Sequence, residues 1–322
     1  MEKVVLLADP NSKAWNFAEK IQEYIKEHYK VSIPIQQVEM GHFNNGETKM
    51  RVPETVRRKE VYFIQDSTKN PNEWWTDLLL LKDLLLNSES ENVTFILPDM
   101  MYSRQDRKDK SGVPISARTV ARSISSGLRR LITMDLHSPQ IEGFYPETVP
   151  LTNLYSFPDI IRYLRETISS SDLEKLVVVS PDSGGVNRVR AFAKRLGSKY
   201  PIAFADKDRT EPGKVGEMLL TGDVRDRDVL VVDDMYDTCG TQIKCGKLLE
   251  EHGARRKFAY ATHGIFTKVE GLEELKKTYD RVITSNTHYK EGNGVEFIDM
   301  SPVFAEAIFR IQKGISISKL FE

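Results

Sequence analysis

Short apolar runs rich in β-branched residues alternate along the chain with longer segments whose apolar positions recur at helical spacing. The runs predict strands at KVVLLA (3–8), EVYFIQ (60–65), VTFILP (93–98), RLITMD (130–135), KLVVVS (175–180), DVLVVDD (228–234) and RKFAYATH (256–263). Helices are predicted over 14–29, 74–87, 116–126, 158–168, 185–196, 241–251 and 271–277. Strands that are apolar on both faces are typical of parallel sheets covered by helices. The chain is therefore predicted to adopt an α/β fold with mainly parallel, doubly wound sheets.

The two halves of the chain repeat one layout, in which a strand runs into a polar turn that carries an aspartate. VTFILPDMMYSRQDR resembles LVVVSPDSGGVNRVR, and LITMDLHSPQ resembles VLVVDDMYDTCGT. Three prolines, Pro146, Pro150 and Pro158, cluster between the halves. We therefore expect two similar domains, over 1–150 and 151–303, followed by a tail over 304–322 that can pack back on the N-terminal domain.

Composition and charge narrow the class of protein. The chain has 322 residues, of which 40% are hydrophobic, and this is enough apolar material for two cores. The formal net charge is −1, so the overall charge does not attract the protein to nucleic acid or to anionic membranes. The leucine-rich run 78–86 is interrupted by Lys82 and Asp83 and is too short to span a bilayer. Cys239 and Cys245 lack zinc-site spacing, and no export signal is apparent. We expect a cytoplasmic protein with reduced thiols.

The segment VLVVDDMYDTCGT places Asp233 and Asp234 at the end of a buried strand, directly before a short Thr/Gly loop. Ligands of open α/β sheets lie at the carboxyl ends of the strands. Backbone N–H groups where a loop opens a helix attract an anion, which the helix dipole also favours. The alternative is an ordinary turn with Thr241 as helix N-cap. At Cys239 we expect a negative φ.

This segment resembles the phosphoribosyl-pyrophosphate motif of type I phosphoribosyltransferases and ribose-phosphate pyrophosphokinases. In that family the loop holds the 5-phosphate of ribose, and the two acids handle the 2- and 3-hydroxyls, directly or through magnesium. Acids and loop thus contact opposite ends of one sugar phosphate. The resemblance implies a ribose 5-phosphate site made of Arg209, Asp233, Asp234, Asp237, Thr238, Cys239, Gly240 and Thr241.

Three further segments resemble the signatures of the pyrophosphokinases. They are FNNGE (43–47), YSRQDRKDKSGVPISAR (102–118) and MDLHSPQIEGFY (134–145). On charge alone, the second would be a solvated stretch, because acids interleave with its bases. The resemblance implies that FNNGE reaches ATP from a neighbouring subunit and that His137 lies beside the ATP phosphates. The implied ATP-binding residues are Phe43, Asn45, Gly46, Glu47, Arg104 and Gln105.

The resemblance also implies a metal and a catalytic loop. Asp182, within SPDSGGVNRVRAFAKRL, matches a magnesium ligand, and His137 would be the second residue near Mg²⁺. A helix N-cap is the alternative role for Asp182. The segment ADKDRTEPGKVGE (205–217) is polar and without apolar periodicity, as in a surface loop. By resemblance it is the flexible catalytic loop, with Lys207 and Arg209 acting on the reacting phosphates together with His137.

The implied enzyme is a Mg²⁺-dependent ribose-phosphate diphosphokinase, which makes 5-phosphoribosyl 1-pyrophosphate and AMP from ribose 5-phosphate and ATP. Alternatives are a phosphoribosyltransferase, which would lack the three ATP-side segments, or a non-catalytic regulatory homologue. The family implies self-association as a dimer or hexamer, with regulation by phosphate and ADP. Gly112 and Thr152 replace a common Arg and Asp of the regulatory site, so we expect that site to be weakened.

Overall fold

The computed structural model describes Met1 and residues 3–197, 200–207, 218–288 and 294–321, with the backbone alone at Lys207. These residues form two compact units. The first comprises Met1–Tyr155 and Met300–Phe321, together with Thr287 and His288. The second comprises Ser156–Asn286 and the segment that ends at Asp299. The C-terminal segment therefore belongs to the first unit, although the second unit precedes it in the chain.

The first unit contains a parallel sheet in the order β2-β1-β5-β6-β7-β8, and a separate antiparallel hairpin, β3-β4. Its elements are β1 (Val4–Ala8), α1 (Lys13–Tyr29), β2 (Ile35–Gln37), β3 (Glu39–His42), β4 (Thr48–Arg51), β5 (Glu60–Ile64), α2 (Pro71–Asn87), β6 (Asn92–Leu97), α3 (Ser116–Ser125), β7 (Arg130–Met134), a 3-10 helix (Pro139–Phe144) and β8 (Leu151–Leu154).

The second unit contains a sheet in the order β11-β10-β9-β12-β13-β14-β15, parallel except at β11. Its elements are α4 (Phe157–Thr167), α5 (Ser170–Leu173), β9 (Val177–Ser180), α6 (Val186–Leu196), β10 (Ile202–Lys207), β11 (Met218–Thr221), β12 (Val229–Tyr236), α7 (Gly240–Glu251), β13 (Lys257–Gly264), α8 (Val269–Thr278), β14 (Arg281–Ser285) and β15 (Glu296–Ile298). A 3-10 turn (Asn286–His288) follows β14.

The last helix, α9 (Ser301–Lys313), packs on α1 in the first unit and is followed by a 3-10 helix (Ser318–Phe321). Phe304 of α9 meets Phe17 of α1 edge-on, with ring centroids 5.4 Å apart, and both side chains are fully buried. The Tyr29 hydroxyl at the end of α1 donates a hydrogen bond to Glu306. Helix α9 is thus an integral part of the first core, because exposing its apolar face to water would be unfavourable.

The prediction of an α/β fold with mainly parallel sheets is confirmed. Strands such as β1, β6 and β12 are almost continuously buried, because helices cover both faces of their sheets. The polar hairpin β3-β4, the short strands β8, β14 and β15, and helix α9 were not predicted. Strand β10 includes residues 205–207, which the sequence had placed in a loop, because these residues pair with β11. Within the described ranges, no helix is long and apolar enough to cross a bilayer.

An ionic cluster around one buried aspartate stabilises the amino-terminal edge of the second sheet. Asp228, directly before β12, is fully buried and accepts hydrogen bonds from Arg255 Nε at 2.8 Å and Nη2 at 2.7 Å. Arg256 Nε donates to the same carboxylate at 3.1 Å, and both arginines also pair with Asp172. Burial alone would raise the pKa of Asp228, but the hydrogen bonds from Arg255 and Arg256 outweigh it and lower that pKa to about 2.

We predict that Asp228→Asn lowers the free energy of unfolding at pH 7 by about 1–3 kcal/mol, because it removes the charge that two guanidinium groups share. The native carboxylate has a lower pKa than it has when unfolded, so its stabilisation is full above about pH 4 and is lost toward pH 2. Urea unfolding at pH 7, 5 and 3 measures this. The gap to wild type should narrow at pH 3.

Asp226→Asn is the matched control, because Asp226 is exposed and its φ of 56° suits asparagine. A gap of the same size at pH 7 and pH 3, or an equal loss in the control, would contradict the assigned role of Asp228.

Candidate functional site

The two aspartates of β12 lie at the carboxyl edge of the second sheet and share one cation. Arg188, in the first turn of α6, donates from Nη1 to Asp234 Oδ1 at 3.0 Å and to Asp233 Oδ1 at 3.3 Å. Asp233 Oδ1 also accepts the backbone N–H of Asp234 at 2.9 Å. Gln242, on α7, donates from Nε2 to Asp233 Oδ2 at 2.6 Å. Both carboxylates are therefore held in place by groups from neighbouring elements.

Burial sets the protonation of this pair. The pKa of Asp233 is raised well above its ordinary value, first by burial and then by the adjacent charge of Asp234, while Arg188 acts in the opposite direction. Two carboxylates this close titrate as a unit, so that one proton is held more tightly than on an isolated aspartate. Chemically, the pair can accept hydrogen bonds from sugar hydroxyls or take up a proton.

The loop that follows β12 differs from the prediction at one residue. Cys239 has φ of +63° and precedes α7, which begins at Gly240, so the expected negative φ was wrong. The left-handed conformation turns the chain sharply enough to start the helix immediately after the loop. Cys239, not Thr241, occupies the N-cap position, and no side chain caps the helix. Backbone N–H groups of the first turn are thereby left for an anion.

Helix α8 holds the loop from behind. A Cβ on Gly271 would lie 2.3 Å from the carbonyl oxygen of Thr238, so only glycine permits this approach. Asp237 is fixed as well, because its Oδ1 accepts the Thr267 hydroxyl at 2.6 Å and its backbone oxygen accepts the Thr267 N–H at 3.2 Å. The side chain of Asp237 thus has a structural role in shaping the loop.

Asp182 lies in the turn between β9 and α6, on the strand adjacent to β12. Its Oδ1 accepts the N–H of Gly185 at 2.9 Å, and the Ser180 hydroxyl donates to its backbone oxygen at 2.6 Å. The N-cap of α6 is Gly185, so Asp182 is not the N-cap itself but closes the turn before the helix. The carboxylate is half-buried at the same sheet edge as Asp233 and Asp234.

The catalytic-loop residues fall at the limit of the described chain. The backbone of Lys207 ends β10, which is the other neighbour of β9 and extends beyond it at the carboxyl edge. Arg209 lies outside the described residues. The second unit therefore brings Lys207, Asp182 and the acid pair to the ends of three adjacent strands, β10, β9 and β12.

In the first unit, the segments expected to bind nucleotide follow two adjacent strands. Arg104 and Gln105 lie in the loop after β6, and His137 lies three residues beyond β7. Arg104 is exposed, His137 is half-buried, and Gln105 Oε1 accepts the hydroxyl of Ser116, at the start of α3, at 2.6 Å. These three residues share the carboxyl edge of the first sheet.

The start of that loop is anchored internally. Asp99 is buried, and its Oδ2 lies 3.0 Å from Nδ1 of His288, which is also buried. A buried carboxylate needs such a partner, because an unpaired one would carry a large desolvation cost.

Residues 43–47 form the exposed tip of the hairpin β3-β4. The Phe43 N–H donates to the Glu47 oxygen at 2.8 Å, and Glu47 N–H donates to Asn45 Oδ1 at 3.2 Å. Gly46 has φ of +89°, which suits glycine at a tight turn. Phe43 is 56% exposed, and Lys49 Nζ lies 5.7 Å from the centroid of its ring.

Two residues that contact the acid pair, Arg188 and Gln242, were not predicted from the sequence. Both lie in the first turn of a helix that follows a strand ending at the site. That position is itself a usable signal, since the first turn after such a strand faces the ligand side of an α/β sheet. Residue type alone could not have predicted either residue, because arginine and glutamine side chains are common on helix surfaces.

Comparison with family models separates the two halves in the same way. The N-terminal domain of ribose phosphate pyrophosphokinase matches residues 10–127, and the phosphoribosyl transferase domain matches residues 151–297. The first of these matches covers the segments 43–47 and 102–118 in full and ends before the segment 134–145.

Among curated proteins, ribose-phosphate pyrophosphokinase 4 of Saccharomyces cerevisiae is 38% identical over 91% of this chain and 89% of its own length. Ribose-phosphate pyrophosphokinase 2 of Schizosaccharomyces pombe is 37% identical over 91% of both chains. The chain belongs to the ribose-phosphate pyrophosphokinase family. A crystal structure of phosphoribosylpyrophosphate synthetase from Mycobacterium smegmatis has a TM-score of 0.85 at 29% identity and covers 97% of this chain and 99% of its own.

Ribose-phosphate pyrophosphokinases have a general requirement for a divalent metal. Among the described residues, no group of three or more His, Cys, Asp or Glu side chains is placed to hold a metal ion. Mg²⁺ does not need such a cage, because it keeps several waters and binds one or two carboxylates together with substrate phosphates. The half-buried carboxylate of Asp182 is a hard oxygen donor of that kind, so the residues fit a Mg²⁺ that arrives with a nucleotide.

We predict that Cys239→Gly keeps ribose 5-phosphate affinity within about threefold of wild type, because glycine adopts the left-handed conformation without strain. The thiol is buried, which raises the pKa of Cys239 to about 12, so no thiolate chemistry is lost. Calorimetric titration measures the affinity. Cys239→Val is the contrasting variant, since a β-branched residue at this φ is strained by about 1–2 kcal/mol. Equal behaviour of the two variants would show that φ is not the constraint.

Proposed function

We propose that this chain transfers the pyrophosphoryl group of ATP to the 1-hydroxyl of ribose 5-phosphate, giving 5-phosphoribosyl 1-pyrophosphate and AMP. The observation that carries the proposal is the acid pair of β12, held by Arg188 directly before an anion-binding loop. One ligand satisfies both, because a ribose phosphate offers hydroxyls to the acids and a phosphate to the loop.

The ribose half of the site acts by positioning. Backbone N–H groups at the start of α7 bind the 5-phosphate, helped by the hydroxyls of Thr238 and Thr241 and by the helix dipole. Asp233 and Asp234 accept hydrogen bonds from the ribose hydroxyls, and their fixed orientation selects the sugar pose. Such positioning supplies much of the rate in phosphoryl transfer, where little covalent help from the protein is needed.

The nucleotide half uses the first unit. Arg104 and Gln105 bind ATP after β6, and His137 lies beside its phosphates after β7. The hairpin tip, with Phe43, Asn45, Gly46 and Glu47, reaches the adenine and ribose of an ATP bound to a neighbouring copy. Its exposed Phe43 ring supports this role, since a base can stack on it. A cavity of about 560 Å³ beside this tip is lined partly by Phe43, Gly46 and Glu47.

In the reaction the oxygen of the ribose 1-hydroxyl forms a bond to the β-phosphorus of ATP. The bond from that phosphorus to the α-β bridging oxygen breaks, AMP leaves with that oxygen, and the hydroxyl proton is lost. Lys207 and Arg209 neutralise the charge that develops on the transferred group. The acid pair is the candidate proton acceptor. Asp182 would hold Mg²⁺, with His137 proposed as a second residue for the metal, and the bound ion would supply Lewis-acid stabilisation of the phosphate charge.

We further propose self-association as a dimer or a hexamer. The reason is the exposed hairpin tip, which can contact ATP in the proposed way only when a second copy of the chain binds that ATP. Regulation by phosphate and ADP would be weakened. Gly112 and Thr152 support this, because they replace a common Arg and Asp of the regulatory site, and the Thr152 hydroxyl accepts a hydrogen bond from Arg130. A cytoplasmic location is supported by the two free, buried thiols of Cys239 and Cys245.

The decisive experiment mixes the purified protein with ribose 5-phosphate and Mg·ATP and measures AMP. We expect AMP and 5-phosphoribosyl 1-pyrophosphate in equal amounts. Pyrophosphate release from the phosphoribosyl compound with a base, without AMP formation, would instead identify a phosphoribosyltransferase. Neither product, with stimulation of an active relative on mixing, would identify a regulatory homologue.

We predict that Lys207→Ala lowers kcat by about 10²–10³-fold while the Kd for ribose 5-phosphate changes less than threefold, because the lysine acts on charge that develops in the transition state. Steady-state kinetics and calorimetry measure the two quantities. Lys194→Ala, on the last turn of α6, is a control for loss of a lysine. Parallel losses in turnover and sugar binding in Lys207→Ala would contradict the catalytic role.

A further inference from the structure

The Asp233 carboxylate has most of its acceptor capacity occupied by the protein. An ionised carboxylate offers about four acceptor directions. Oδ1 accepts the Asp234 N–H at 2.9 Å and Arg188 Nη1 at 3.3 Å, and Oδ2 accepts Gln242 Nε2 at 2.6 Å. These contacts use most of the acceptor capacity of Asp233 and leave room for about one sugar hydroxyl.

Gln242 is the donor that decides how the plane of this carboxylate is oriented. The two donors on Oδ1 fix one oxygen, but the second oxygen is held by Gln242. Its amide also donates to the Met235 oxygen at 3.3 Å, which restricts rotation of the amide itself. Gln242 is 6% exposed, so water cannot readily substitute for its N–H.

Gln242 is itself anchored by the helix behind it. The Tyr279 hydroxyl, beyond the end of α8, donates to the Gln242 backbone oxygen at 2.7 Å. The contact depends on Gly246, since a Cβ there would lie 2.4 Å from Thr278 Cγ2 and 2.9 Å from the Tyr279 ring. The close packing of α7 and α8 thus holds Gln242 in place, and Gln242 in turn holds Asp233.

Gln242 also links the two ends of the sugar site. It lies in the first turn of α7, whose backbone N–H groups face the loop, and its side chain reaches back to β12. The Gln242 side chain therefore helps to set the distance between the anion-binding loop and the acid pair, together with the contacts that α8 makes behind the loop. That distance must match the span from the 5-phosphate to one ring hydroxyl.

We propose that Gln242 is a positioning residue that directs Asp233 toward a single ribose hydroxyl and thereby makes the site selective for ribose over deoxyribose phosphates. The inference rests on the proposed function, which places the sugar against Asp233. A hydrogen bond to a charged acceptor contributes about 1.5–3 kcal/mol, so its loss corresponds to roughly a 10–100-fold change in affinity.

The test is a comparison of sugar-phosphate binding by calorimetry, with ribose 5-phosphate and its 2-deoxy and 3-deoxy analogues as the probes. Wild type should bind ribose 5-phosphate about 10–100-fold more tightly than one of the two analogues. In Gln242→Met the affinity for ribose 5-phosphate should fall by about tenfold, while that for this analogue changes less than threefold. The loss of selectivity separates positioning from a general structural effect, which would weaken all three sugars alike.

Gln22→Met is the matched control, because Gln22 is also a partly buried glutamine whose Nε2 donates to a protein oxygen, that of Ile33, at 2.6 Å. It should bind all three sugars as wild type does. If Gln242→Met fails to fold, as judged by thermal unfolding, Gln242→Asn keeps the amide but withdraws it by one methylene. We expect the same loss of selectivity in that variant, and unchanged selectivity in the folded variant would overturn the proposal.

The binding test and the AMP assay distinguish failure of the role proposed for Gln242 from failure of the proposed reaction. Wild type that binds ribose 5-phosphate selectively but releases no AMP would contradict the proposed reaction and leave the role of Gln242 supported. Wild type that makes AMP, together with a Gln242→Met variant that weakens all three sugars equally, would contradict the role of Gln242 and leave the reaction supported. Wild type that does not bind ribose 5-phosphate would overturn both.

Discussion

Two carboxylates on consecutive residues of a buried strand are the constraint on which the second unit depends. Asp233 and Asp234 repel each other in a place where water screens little, so the fold must supply cations and donors around them. It does so from three directions, through Arg188 on α6, Gln242 on α7 and the backbone of β12 itself. The arrangement of helices at this edge of the sheet follows from that requirement.

The same edge resolves the apparent conflict between the acids and an anion-binding loop. Parallel strands end together, so β9, β10 and β12 deliver an acid turn, a lysine and an acid pair side by side. The loop lies one turn farther along the chain, where the left-handed Cys239 and the close contact at Gly271 aim the helix start outward. Acids and loop are thus neighbours that serve different ends of one ligand.

The strands and the aspartates at their ends could be predicted from the sequence, because an apolar run that ends in aspartate can be recognised without knowledge of the tertiary structure. Helices over 14–29 and 116–126 were placed within one residue of α1 and α3. What failed depended on long-range packing. The φ of Cys239 is set by α8 behind the loop, and the hairpin β3-β4 is too polar to show an apolar pattern. The contacts of Arg188 and Gln242 with the acid pair could not be predicted, because they form only when the fold brings β12 beside α6 and α7.

Helix α9 has a consequence for how the chain folds as it is synthesised. The first unit needs Phe304 against Phe17, yet Phe304 lies 287 positions after Phe17 in the chain, and the second unit is translated between them. The second unit can therefore fold while the first still exposes the apolar face of α1 that α9 will cover. Premature association through that face is a hazard specific to this order of synthesis, and the half-buried hydrogen bond between Tyr29 and Glu306 helps to make α9 the preferred partner of α1.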